Sequence, residues 1–172
     1  MPAVKRATAP TDATFAITRV FEAPLSLVWT AWSEADGLKA WWGPKGCTIE
    51  TASLEFRPGG FFHYNMRFAN GTEWWGRFLY REIGPRERIR WLNSFSNAGC
   101  GITRAPFDAP IPLEVLNDVT FTERGGKTTV SLRATPHGAT EEEIAAFGAM
   151  HGGLQQGYGG TFDQLAKVLA RG

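Results

Sequence analysis

The sequence predicts an α+β fold: a curved antiparallel sheet wrapped around one long C-terminal helix, with two short helices after the first strand. Two observations carry this. Between residues 47 and 135, apolar and polar residues alternate in segments separated by short turns, the pattern of an antiparallel meander. From Thr140 onward the apolar spacing changes to three and four, and that helix is the only element large enough to cover the apolar face of such a sheet. Where a bent sheet and a helix diverge, a cavity commonly remains, and such cavities bind small molecules.

The 172 residues fit one domain, expected over 13–172 and preceded by a flexible polar tail over 1–12. Apolar residues make up 43% and charged residues 20%, which excludes a disordered or fibrous chain. The formal net charge of +1 leaves no basic excess to hold a nucleic acid or an anionic membrane. No apolar run approaches a membrane span, so a cytoplasmic location is expected. Cys47 and Cys100 are expected as reduced thiols. The three histidines and two cysteines lack metal-ligand spacing, and no dinucleotide, phosphate-loop or Gly-x-Ser-x-Gly fingerprint occurs, so no metal and no cofactor are expected. The unusual figures are 7 Trp and 12 Phe, residues that either fill a large interior or line a pocket.

In chain order, residues 13–21 read as the first strand. Pro24 suits a first helical turn, Ser26 is a candidate cap, and Leu25, Val28, Trp29 and Trp32 share one helical face. Asp36-Gly37 is expected to break that helix, and Leu38 to Trp42 forms a second turn stopped by Gly43-Pro44. Strands follow over 47–56, 61–68, 73–83, 87–95, 113–123 and 127–135, with Asn70-Gly71 as a hairpin turn. The connection 96–112, with three prolines and two glycines, is too long for a hairpin; it reads equally as a solvated insertion or as a lid over a pocket mouth. Thr140 and Glu143 have capping-box spacing ahead of the final helix. Six glycines between 148 and 160 each cost that helix about 0.5–1 kcal/mol relative to alanine. They imply a bend or a close backbone approach, expected at Gly152-Gly153.

Strand alternation turns Phe62, Tyr64 and Met66 inward, together with Phe78 on the next strand and Trp91 and Asn93 on the one after. Asn93 is then a polar group on an apolar face, in need of a partner or a ligand. The helix adds Met150, His151, Leu154 and Tyr158 on or beside its apolar stripe, and Trp42 follows from the Trp41-Trp42 pair. These eleven residues are the candidate binding set; the aromatics read first as core packing, with a subset left to line any cavity, and no residue is assigned a catalytic role. His63 falls on the outward face.

Phe21-Glu22-Ala23-Pro24 followed by Val28-Trp29, then Trp41-Trp42-Gly43-Pro44 and Arg57-Pro58-Gly59-Gly60, resembles the activator of heat-shock-protein-90 ATPase homologue-like branch of the SRPBCC (START/birch-pollen-allergen) superfamily. Gly71-Thr72 with Gly76, Val119-Thr120-Phe121, Gly126-Lys127-Thr128 and Thr161-Phe162-Asp163-Gln164-Leu165 continue the resemblance in order. Tyr158 departs from it, standing where the family more often has tryptophan. The resemblance implies a helix-grip fold with a hydrophobic cavity, hence binding of a small hydrophobic or aromatic molecule between sheet and C-terminal helix. Relatives include lipid carriers, cyclases, stress-response proteins and co-chaperones, and fold alone does not choose among them. Two alternatives stay open: a cavity enzyme of the polyketide-cyclase or hydrolase type, and a chaperone ATPase-stimulating interaction domain. The expected partner is a small hydrophobic ligand. A homodimer is compatible with the sequence, and a chaperone partner rests on the resemblance alone.

Overall fold

The structure, a computed structural model, describes residues 14–171; the tail expected over 1–12 lies outside the described residues. Strand β1 (Phe15–Phe21) leads into helices α1 (Leu25–Ser33) and α2 (Ala35–Trp41). Short strands β2 (Cys47–Thr48) and β3 (Ala52–Leu54) precede β4 (Phe61–Phe68), β5 (Glu73–Gly84) and β6 (Arg88–Ser96). Then come β7 (Ile102–Thr103), β8 (Glu114–Arg124), β9 (Lys127–His137), α3 (Glu141–Ala149) and α4 (His151–Arg171). The strands form one antiparallel sheet in the order β1-β9-β8-β6-β5-β4-β2, with β3 on β4 and β7 on β6. The curved sheet grips the C-terminal helix.

Register sets which side chains meet that helix. Phe15, Ala134, Asn117, Trp91 and Tyr80 lie side by side across five strands, all buried. The next inward row is Pro136, Val115, Asn93, Phe78 and Phe62. At the closed end, Trp32 meets Trp41, Phe121 and Phe162 with ring centroids 4.7, 5.6 and 6.4 Å apart, and Phe162 anchors α4 there. All four rings are buried. Edge-on aromatic packing of this kind adds to what area burial alone supplies.

Several local expectations need correction. The first helix breaks at Glu34, which is extended (φ −122°, ψ 147°), and not at Asp36-Gly37. Gly37 sits inside α2, where an added Cβ would lie 2.9 Å from the backbone of Ala31 and Thr30; the glycine serves the close crossing of two helices. Pro24, not Ser26, occupies the N-cap of α1, without a side-chain hydrogen bond. The strand expected over 47–56 is split, because the Asn65 carbonyl oxygen captures the N–H groups of Glu50 and Thr51 at 3.1 and 2.7 Å. The C-terminal helix is interrupted at Met150 (φ −91°, ψ 0°), between α3 and α4. Gly152 and Gly153 lie within α4 with nothing inside 4 Å of an added Cβ, so no close approach occurs there. The capping box stands: Thr140 accepts from Glu143 N, and the Glu143 carboxylate accepts from Thr140 N.

Candidate functional site

The inner face divides into a closed end and an open end. Phe62, Tyr64, Phe78 and Trp91 are 3% exposed or less, and Met66 is 7% exposed. Phe78 stacks on Trp91 at 4.5 Å and meets Phe62 edge-on at 5.1 Å, while Phe62 stacks on Tyr64 at 4.7 Å. These five therefore form the interlocked floor. Gly76 makes room for it: an added Cβ would stand 2.5 Å from the Tyr64 hydroxyl, which lies across that strand position.

Trp42, Asn93, His151, Leu154 and Tyr158 are half-buried around the rim. Trp42 meets Phe78, Trp91 and Tyr158 at 5.0, 6.2 and 6.3 Å. Tyr158 stacks on Phe15 at 5.4 Å, and His151 packs edge-on against Phe15 and Phe147, both at 5.8 Å. Leu154 packs against the same core. Met150 is also half-buried and sits at the helix junction, where its N–H donates to the Phe147 carbonyl and its own carbonyl accepts from Leu154 N–H.

Trp74 and Phe95 continue the rim, also half-buried, and Phe107 from the 96–112 connection lies against both with centroids 5.8 Å away. That connection is built as a strap. Its first turn crosses the outer face, where the Asn97 and Cys100 carbonyls meet His63 Nε2 at 3.0 Å and Arg77 at 2.8 Å. Ile102 and Thr103 then pair with Ser96 and Phe95 on β6. Arg104 reaches α3, donating to Glu143 at 2.7 Å. Glu143 is nearly buried, with only 12% of its side chain exposed, whereas Arg104 is exposed. His63, expected on the outer face, is there, half-buried and stacked on Trp75 at 4.9 Å.

Polar groups on the inner face are few and mostly satisfied. Tyr158 donates to the Asn117 carbonyl oxygen at 3.1 Å, and the Asn117 amide donates to Val115 O at 3.3 Å. Asn117 is fully buried; sequence reasoning missed it, although the alternation Val115, Asn117, Val119, Phe121 places it inward. Trp91 donates to the Asn93 carbonyl oxygen at 3.4 Å. Burial pushes the hydroxyls of Tyr64 and Tyr158 well above the usual phenol range, and it also raises the Cys47 thiol. These groups stay neutral near pH 7, which makes the tyrosines hydrogen-bond donors and not bases. Among the described residues, no group of three or more His, Cys, Asp or Glu is placed to hold a metal ion, and no helix is long and apolar enough to cross a membrane.

Solved structures share this architecture. A solution structure from Arthrobacter aurescens superposes with a TM-score of 0.76 at 24% identity, over 99% of this chain and 94% of that one. A crystal structure from Nitrosomonas europaea gives 0.73 at 20% identity, over 94% and 97%. The AHSA1 protein of Silicibacter pomeroyi gives 0.69 at 16% identity, over 91% and 97%. Identities this low speak for the fold alone. Among curated proteins, none matches. Residues 22–170 match the family described as Activator of Hsp90 ATPase homolog 1-like protein, and with nearly its whole length inside that match and the helix-grip architecture around it, the chain belongs to this family.

Proposed function

We propose that the domain binds a small hydrophobic or aromatic molecule at the open end of the inner face, between β5–β6–β8 and the start of α4, beneath the 96–112 strap. The observation that carries this is the gradient of burial among the aromatic residues of the inner face. Phe62, Phe78 and Trp91 are sealed, while Trp42, Trp74, Phe95 and Tyr158 on the same surface keep part of their area open. Apolar rings left open beside a sealed core offer a ligand area to bury, at roughly 25 cal/mol per Å². The family's fold is consistent with a cavity that takes a ligand.

The test is a titration with N-phenyl-1-naphthylamine, a neutral apolar fluorophore. Saturable enhancement at one site per chain is expected. Val115 is half-buried in the inward row beside Asn93, so Val115→Trp fills the opening and is expected to remove the enhancement with the fold intact by circular dichroism. Absence of saturable enhancement in the wild-type protein, or full binding by Val115→Trp, refutes the reading.

A further inference from the structure

We infer that the ligand of this site carries a hydrogen-bond acceptor, such as a ketone, quinone or ester oxygen, and that the Asn93 amide nitrogen reads it. The inference rests on the binding proposed above and adds the chemical class.

It follows from which atom of Asn93 faces which way. An indole N–H only donates. The Asn93 atom 3.4 Å from Trp91 Nε1 is therefore the carbonyl oxygen, which turns the NH₂ group away from the floor. Those two N–H donors have no partner among the described residues. Asn117, the other asparagine on the inner face, contrasts with it: fully buried and engaged at both ends, by Tyr158 and by Val115 O. Asn93 instead is half-buried, flanked across the sheet by Phe78 and Val115, with Phe95 two residues further along its strand. A donor pair set among apolar side chains leaves hydrogen bonds unmade when an acceptor-free ligand covers it, and gains them when the ligand has an oxygen at that point. Discrimination of this kind favours ligands that complete a built polar site.

The experiment compares fluorene with 9-fluorenone, flat molecules of nearly the same shape that differ by one carbonyl oxygen, by quenching of tryptophan fluorescence. The ketone is expected to bind about 5–10-fold more tightly. Asn93→Leu, of similar volume, is expected to bring the ketone down to the level of fluorene and leave fluorene unchanged or tighter. The carbonyl stretch of bound 9-fluorenone, shifted to lower frequency in the wild type, should return toward its value in apolar solvent in the variant. If Asn93→Leu fails to fold, the ligand pair and the carbonyl shift on the wild-type protein decide the matter alone. Equal binding of both compounds with an unshifted carbonyl overturns the inference and leaves the binding site standing. Failure of both compounds to bind overturns the site and the inference with it.

Discussion

Glycine-to-alanine substitution has opposite signs at two places in this protein, although every position concerned is helical. In α4, Gly152 and Gly153 are exposed, and an added Cβ meets nothing within 4 Å. Alanine there gains helix propensity without a steric cost, about 0.5–1 kcal/mol each. The double variant Gly152→Ala/Gly153→Ala should therefore be about 1–2 kcal/mol more stable, a rise in Tm of about 2–8 °C for a chain of this size. In α2, the Cβ of Gly37→Ala would stand 2.9 Å from Ala31 Cα, Ala31 O and Thr30 O. All three are backbone atoms, so relief requires α1 and α2 to separate. Overpacking of this kind costs about 1–3 kcal/mol against a propensity gain of about 0.5–1 kcal/mol, for a net loss of up to about 2.5 kcal/mol. Urea melts of the three proteins, read by circular dichroism, give both free energies. A gain at Gly37→Ala, or a loss at Gly152→Ala/Gly153→Ala, would refute the reasoning from added-Cβ space.

Tyr158→Phe leaves the carbonyl oxygen of the fully buried Asn117 without its donor, so a loss of about 1–3 kcal/mol is expected in the same melts, and a neutral result would mean that water replaces the hydroxyl. The pH dependence of stability should show Asp118. Its hydrogen bond from Arg88 (Nε to Oδ1, 2.8 Å) holds its carboxyl below the usual range, aided by the charges of Arg88, Arg90 and Arg133. A depressed folded-state pKa gives stabilisation that is present above the unfolded value of about 3.9 and lost as pH falls through the folded value. Asp118→Asn should lower stability at pH 7 and flatten the acid limb below about pH 4; an acid limb identical to that of the wild type would show that other carboxylates set it.

Strands that bury one face were legible because alternation then speaks directly of burial, as from Phe15 to Phe21 and from Lys127 to His137. The failures share a cause: a distant partner decided the local structure. Glu34 has no breaking tendency of its own, and the chain turns there because α2 must lie against α1, with Gly37 at the crossing. The split between β2 and β3 depends on Asn65, which lies 14 residues beyond Thr51 and on another strand. In the candidate site, alternation and helical spacing brought Phe62, Tyr64, Phe78, Trp91 and Tyr158 into one set, the Trp41-Trp42 pair added Trp42, and their rings touch in the structure. Spacing carried no information on which of them would be sealed and which left open, since that depends on where α4 lifts from the sheet. The Arg104–Glu143 contact joins residues 39 positions apart and leaves no trace in periodicity.

Glu143 holds two jobs in one carboxylate. One oxygen accepts from Thr140 N and completes the cap of α3; the other accepts from Arg104 and fastens the strap. A displaced strap therefore removes the counter-charge from a nearly buried acid that sits in the first turn of the helix leading into His151, Leu154 and Tyr158. Neither wall of the opening is energetically independent of the other. On the binding proposed above, a molecule that pried up the strap would also loosen the helix opposite, and one that ordered the helix would tighten the strap, with one carboxylate as their shared joint.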